Sequence, residues 1–402
     1  MRTFSPKREL VRCRNINAVC LVLVLIAASM AVHPAQAQKA KYTTLYSFSK
    51  SDGATPESDL IRDSAGNLYG TTYIGGHWNS GTLFKLDTNG SLTTVHEFNP
   101  NSGAGPVAGL AHDTAGNLYG TLSGGGSGAC VRGCGGIFRI DAATQVFTEL
   151  YLFAGGPDGA TPLGGLVLDH AGNLYGTTRY GGTLDKGTIF KLQPDGTLTI
   201  LHRFTGFPDG ESPFAGLVAD SAGNLYGTTR AGGTAFNYGT IFKVDTNGNE
   251  SVIYRFTGAA DGAYPLGSLI VDDAGNFYGT TIGGGGSGGG FGNGVAFKLD
   301  ASSTLTVLHT FTTPDGLEPS CTLLRDATGN LYGTTYLGGT ENQGTVFRLE
   351  PSGRFRVLHN FLGGVDRGKP YAGLIRDNAG NLYGTTTRGG TNNFGTVFRI
   401  SF

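Results

Sequence analysis

Charge is scarce in this chain of 402 residues. Asp, Glu, Lys and Arg make up 15% of it, and the formal net charge is −1. Without a basic excess there is no electrostatic footprint for a nucleic acid. No stretch after the first forty residues repeats its apolar side chains at the helical period, so an α-rich fold is excluded. Cysteine is sparse beyond residue 37, where only Cys130, Cys134 and Cys321 remain. No second ligand pair stands near the Cys130-x-x-x-Cys134 spacing, which disfavours a structural zinc site. A single tryptophan, Trp78, occurs in the whole sequence. No Ser-His-Asp order and no metal-ligand spacing stands out, so no catalytic class announces itself.

Glycine, by contrast, is abundant, at 69 residues. It follows no strict three-residue period, which excludes collagen and fits tight turns between closely packed strands. The chain opens with Arg2, Lys7, Arg8, Arg12 and Arg14, followed by an apolar run from Ala18 to Val32 and then Ala35-Gln36-Ala37. This pattern predicts a signal peptide over residues 1–37, cut after Ala37. The alternative is an uncleaved anchor, although the run is shorter than the roughly 20 residues a bilayer span needs. Removal takes away five basic residues and one acid and leaves a net charge of −5. The expected setting is extracytoplasmic, secreted or periplasmic. After signal removal no membrane span is expected, and no nucleic-acid partner. The oxidising compartment permits a Cys130–Cys134 disulfide, and Cys321 reads as a buried thiol.

The dominant feature is the stretch Gly66–Thr72, GNLYGTT, which returns six more times in varied form. Its tyrosines are Tyr69, Tyr119, Tyr175, Tyr226, Tyr278, Tyr332 and Tyr383, spaced by 50, 56, 51, 52, 54 and 51 residues. Seven copies near a period of fifty define a repeat protein. Residues 214–256 display one unit. Four short runs rich in Val, Ile, Thr, Tyr and Phe lie between Gly/Asn/Asp turns, the signature of strands. Strands A to D are predicted at Ala215–Ala219, Asn224–Thr229, Thr240–Val244 and Ser251–Phe256. The A–B turn always carries an Asp (Asp63, Asp113, Asp169, Asp220, Asp272, Asp326 and Asp377) three residues before a Gly. An Asp here accepts backbone amides within the turn, and this structural reading is preferred to seven cation sites.

The penultimate residue of strand D is His96, Tyr151, His202, Tyr254, His309 or His359, and Tyr46 matches it near the N-terminus. Interchange of His and Tyr predicts a half-buried, hydrogen-bonding aromatic. A metal role is not expected, because the residues belong to different sheets.

Four antiparallel strands repeated seven times predict an all-β, seven-bladed β-propeller over residues 42–402. The first complete unit begins only near residue 59, preceded by an orphan strand at residues 42–48. The last unit stops after its third strand, at Phe402. Joining the orphan to the last unit closes the ring and covers two edges.

With DxxGNLYGTT, the following GG, GT[VI]F[KR] and LHxF on the page, the chain resembles the Gloeo_Verruco (gloVer) tandem-repeat family of exported bacterial proteins. The motifs cover nearly all of residues 43–402. That resemblance implies an extracytoplasmic setting and no defined activity. Some relatives carry a C-terminal sorting anchor, which is not expected in a chain ending at Phe402.

The D–A and B–C connections share one face and hold nearly all departures from the repeat. Variable loops on a rigid scaffold usually carry function. Blade 1 offers His77 and Trp78 as candidate ligand contacts, because an exposed indole can stack on a sugar; it can equally pack on a neighbouring loop. Blade 2 holds Cys130 and Cys134, and blade 5 a glycine-rich insertion, Gly283–Gly294. Glu57, Asp185, Glu211, Glu318, Glu341 and Arg367 are scattered over several blades. The expectation is a monomeric binding propeller for a cell-surface glycan or an extracellular protein, without cofactor or metal. The alternative is a secreted polysaccharide lyase or hydrolase acting at the channel mouth.

Overall fold

In the computed structural model the described residues are 40–402, apart from 127–129, 132, 287–291, 365 and 367. The expected signal peptide, Arg367 and part of the Gly283–Gly294 insertion lie outside them. Seven four-stranded antiparallel sheets follow one another around a ring. In blade 4 the strands are A, Val218–Ala219; B, Leu225–Thr229; C, Thr240–Val244; and D, Glu250–Arg255. Blade 7 takes its strands A to C from Ile375–Arg376, Leu382–Thr386 and Thr396–Ser401, and its strand D from Lys41–Ser47 at the other end of the described chain. The fold is a seven-bladed β-propeller closed by its N-terminal strand.

The repeat now explains itself. Strand C of each blade places a phenylalanine (Phe84, Phe138, Phe190, Phe242, Phe297, Phe347 and Phe398) entirely out of solvent. The glycine of GNLYGTT lies under that ring. A Cβ at Gly70 would come within 2.8 Å of both Phe84 Cζ and Leu60 Cδ2, so only glycine lets the ring descend. The A–B turn aspartate works in all seven blades. At Asp220, Oδ1 accepts the Asn224 amide at 2.9 Å, while Oδ2 accepts Asn224 Nδ2 at 2.8 Å and the Tyr226 hydroxyl at 3.0 Å. Asp, Asn and Tyr of the motif are therefore one hydrogen-bonded unit.

The two threonines divide their labour. The first reaches the next blade: Thr177 Oγ1 donates to the Ala215 carbonyl at 3.0 Å and Thr334 Oγ1 to that of Ala372 at 2.8 Å. The second bonds within its own blade, as in the 2.9 Å contact between Thr72 and Thr82 hydroxyls.

Strand A is shorter than expected, Val218–Ala219 rather than Ala215–Ala219. Residues before it converge on the axis and pack against neighbouring blades rather than along strand B. A Cβ on Gly267 would meet the Cys321 carbonyl oxygen at 2.2 Å, and one on Gly164 would meet that of Ala215 at 2.4 Å. Contact between blades has displaced the ladder.

A bulge interrupts the C–D pairing of every blade, for example between Ile241 and Phe242 in blade 4. Such an extra residue increases strand twist, and the penultimate His or Tyr follows it.

Candidate functional site

The face bearing the D–A and B–C connections is built on a residue that precedes proline. In each blade it takes a left-handed conformation: Thr55, Gly105, Thr161, Ser212, Tyr264, Glu318 and Lys369, with φ between 54° and 64°. Six of these are not glycine, and a following proline disfavours helical space of either hand. Bonds across the blade junction hold them. The Thr55 amide donates to Phe394 O at 2.8 Å, Ser212 to Lys186 O at 2.8 Å and Lys369 to Gln343 O at 2.7 Å, and the other four follow the same pattern. Their own carbonyls accept from the residue after GTT, as Tyr73 N does to Thr55 O at 3.0 Å. Two positions are thereby presented toward the axis in each blade, the residue after the proline and the residue after GTT. These are the most chemically varied positions of the repeat.

All seven residues after the proline, and Tyr73, Ser123 and Arg179 of those after GTT, line a central cavity of about 1350 Å³. Glu57, Asp59, Tyr73, Arg179, Tyr180, Phe214, Ser268 and Tyr371 are among its lining residues. On one side Arg179 of blade 3 lies 4.5 Å from the ring centroids of both Tyr180 and Phe214. Arg230 of blade 4 lies 5.9 Å from Phe214 and 5.5 Å from Tyr264. Across the ring, Lys369 sits 4.9 Å from the Tyr336 ring, which meets Tyr371 edge-on at 6.1 Å. Among the described residues neither Arg179 nor Arg230 forms an ion pair, and the buried Arg179 Nε has no hydrogen-bond partner.

Burial pushes the Glu57 carboxyl up to about 7. Burial also pushes the Tyr371 hydroxyl up to about 12; Glu57 and Tyr336 add to this, while Arg179 and Arg230 oppose it. These groups share one electrostatic environment although they come from blades 1, 3, 4, 6 and 7. Deeper in, Asp59 stands where other blades carry Gly109, Gly165, Gly216, Ser268, Thr322 and Gly373. Burial raises its carboxyl, while the Gly373 amide and Thr322 hydroxyl stabilise the charged form.

Of the residues singled out in the sequence, Glu57 and Asp185 line the cavity. Asp185 is exposed and caps the Gly181 amide at 2.7 Å. Glu211 is paired with Lys186 at 2.8 Å. Glu318 occupies a left-handed junction position, and Glu341 is exposed. Trp78 is exposed at 58% and meets His77 edge-on at 4.7 Å. Neither lines the cavity, although Asn79 and Ser80 beside them do. Cys130 and Cys134 are joined as a disulfide, with Cα atoms 5.1 Å apart, and Cys130 borders the cavity. Arg179, Arg230, Phe214, Lys369 and Tyr371 were not singled out. The available signal was register: they fall at the variable positions directly before and after the proline and after GTT.

The family model described as the Gloeobacter/Verrucomicrobia repeat matches residues 31–167, 127–291 and 235–402. No curated protein matches the chain. Among solved structures, one similar to it is the extracellular domain described for a one-component system of B. thetaiotaomicron, at 13% identity and a TM-score of 0.56. That match covers 90% of this chain and 42% of the other, so the chain spans less than half that protein's length. A gluconolactonase from Xanthomonas campestris matches at 14% identity and a TM-score of 0.47, covering 90% of this chain and 89% of the other. The first of these likenesses concerns the propeller fold alone. Among the described residues no helix is long and apolar enough to cross a membrane, which leaves β-barrels unaddressed.

Proposed function

The chain belongs to the Gloeobacter/Verrucomicrobia repeat family, and we propose that this member is an exported binding propeller whose channel mouth takes an acidic glycan. The observation that carries this reading is the pair Arg179 and Arg230, held over Phe214 with no ion-pair partner among the described residues. A guanidinium stacked on an aromatic ring is oriented but not neutralised. A carboxylate-bearing ligand supplies the missing charge and hydrogen bonds. Tyr180, Phe214, Tyr264, Tyr336 and Tyr371 offer aromatic surface for sugar rings. The cavity exceeds the roughly 300–1,000 Å³ of most small-molecule sites, which favours an oligomeric ligand. His77 and Trp78, on the neighbouring blade 1 loop, act as an outer contact for a chain leaving the mouth. Export to the periplasm or beyond is supported by the leader-like residues 1–37 and by the family's exported character.

Calorimetric titration with a uronate oligosaccharide, beside a neutral glucan of equal length, tests the proposal. Binding of the uronate alone, weakened about tenfold or more by Arg179→Ala and by rising salt, is the expected result. Equal binding of both sugars, or none, defeats it.

A second reading, a lyase or hydrolase acting at the same mouth, is favoured by Glu57. A carboxyl titrating near 7 suits general acid–base work. Release of shorter oligosaccharides from the uronate, lost in Glu57→Gln, would establish that reading.

A further inference from the structure

The junction between blades 3 and 4 departs from the other six at its outer edge. Glu250 begins strand D of blade 4 and pairs with Val244. At the same register the other blades carry Leu92, Phe147, Leu198, Leu305, Phe355 and Tyr42. That residue faces the penultimate strand D residue of the preceding blade. Phe147 lies flat on His96, Phe355 on His309 and Tyr42 on His359, with ring centroids 4.3, 3.9 and 4.2 Å apart. At the exceptional junction a carboxylate replaces the apolar group and meets His202.

The imidazole thus stands between two carboxylates. His202 Nε2 lies 3.0 Å from Asp209 Oδ2 and 3.9 Å from Glu250 Oε2. The Glu250 side chain is only 9% exposed, and among the described residues its Oε1 has no hydrogen-bond partner. Burying a carboxylate in place of a ring is costly unless something compensates it. Some compensation comes through space from His202 and, less, from Arg255 at the far end of the same strand. Its Nε donates to the Pro208 carbonyl at 3.0 Å, and it makes no ion pair among the described residues. The buried, half-satisfied carboxylate is therefore open to a cation.

We propose that His202, Asp209 and Glu250 form a binding site for a divalent transition-metal ion of the zinc type, bridging blades 3 and 4. One ligand atom from each residue lies within 4.8 Å of the other two. Donors bound at about 2.0–2.2 Å around a four-coordinate ion stand a little over 3 Å apart, so small rotations of the Glu250 side chain close the set. One imidazole and two carboxylates suit zinc, whereas calcium takes six to eight oxygens. His202 and Asp209 keep 23% and 15% side-chain exposure, which leaves room for water at the fourth position. Asp209 is already oriented by the Thr205 amide at 3.0 Å and the Gly210 amide at 2.6 Å, the outer-shell support that metal ligands receive.

The test strips the purified protein with chelator, desalts it, and titrates it with zinc chloride by calorimetry while counting retained metal. The expected result is about one ion per chain, with affinity reduced ~100-fold or more in His202→Ala and in Glu250→Leu. Glu250→Leu restores the residue type found at three other junctions, so folding is preserved; a circular-dichroism melt verifies this. Glu250→Gln, which keeps the side-chain volume, must also lose affinity. Failure of the unaltered protein to bind zinc, or unchanged affinity in Glu250→Leu, overturns the proposal. This site shares no residue with the channel mouth, so either outcome leaves the glycan reading to its own test.

Discussion

Tyr42 lies parallel to the imidazole of His359, with ring centroids 4.2 Å apart and 7° between their planes. One residue stands near the start of the described chain and the other in blade 6, so this contact locks the closing strand onto the ring. The Tyr42 ring also meets Phe361 edge-on at 5.8 Å. Tyr42→Ala is expected to cost about 2 kcal/mol, from a half-buried aromatic body and its stacking. Deletion of residues 42–48 removes Phe48 as well, whose side chain is fully buried against Phe84. It exposes the edge of Thr396–Ser401 and is expected to abolish cooperative unfolding. Thermal denaturation followed by circular dichroism checks both; an unchanged melt for the deletion would contradict closure.

The A–B turn aspartates provide a second check, because seven repeated carboxylates also invite a cation reading. Burial pushes the Asp326 carboxyl up, but Asn330, Thr328 and Tyr332 outweigh it and hold it at about 2. Asp326→Ala strands the Asn330 amide and the Tyr332 hydroxyl and leaves Asn330 Nδ2 with Thr328 Oγ1 alone. A loss of about 2 kcal/mol is expected after allowing for solvent at this half-exposed turn. Because the folded carboxyl is depressed, its contribution is present above the ordinary Asp range and fades as pH falls toward 2. Urea titrations should give the same difference with calcium or with chelator. A calcium-dependent difference would revive the cation sites.

Legibility in the sequence followed the repeat. Wherever a residue acts within its own blade, as Asp220, Asn224, Tyr226 and Phe242 do, seven copies expose its role. Closure was legible too, since the orphan strand and the incomplete unit are complementary. Contacts between blades were not. Arg179 and Arg230 come from different units and share Phe214 only because neighbouring blades converge on the axis. In a propeller, residues of different sheets do meet, and His202 of one sheet faces Glu250 of the next. Trp78 drew notice by rarity, which reports composition rather than position.

Cys321 offers a third prediction. Its thiol donates to the Thr334 carbonyl at 3.4 Å and receives the Thr334 amide at 3.2 Å. In blade 1 Ser58 makes the same two bonds to Thr71, at 3.3 and 2.8 Å. The two residues are equivalent, and Cys321→Ser is expected to change stability by less than about 1 kcal/mol. Burial pushes the thiol up to about 11, so almost no thiolate is present at neutral pH. In protein that begins at residue 38, a disulfide reagent should leave the native, unreduced state unmodified and label one thiol per chain in denaturant. Rapid labelling of the native state would refute the burial.

The pH dependence of the channel mouth can be derived in sign. Burial lifts Glu57 to about 7 in the folded state, against an ordinary glutamate value near ~4.3. Between these values the folded protein binds more protons than the unfolded chain, so stability falls as pH rises through that window. The loss reaches about 4 kcal/mol as an upper figure. Glu250 contributes in the same direction, since burial lifts it to about 7 as well. Melting temperatures measured in chelator should therefore decline from pH 5 to pH 7.5, roughly half as steeply in Glu57→Gln. Ligand binding follows the same proton. Below pH 7 Glu57 is neutral and Arg179 and Arg230 act on the ligand unopposed, so uronate affinity should rise on acidification until the sugar carboxylates themselves protonate. In Glu57→Gln that rise should vanish and affinity at pH 8 should increase. A pH-independent affinity in the unaltered protein would place the ligand away from Glu57.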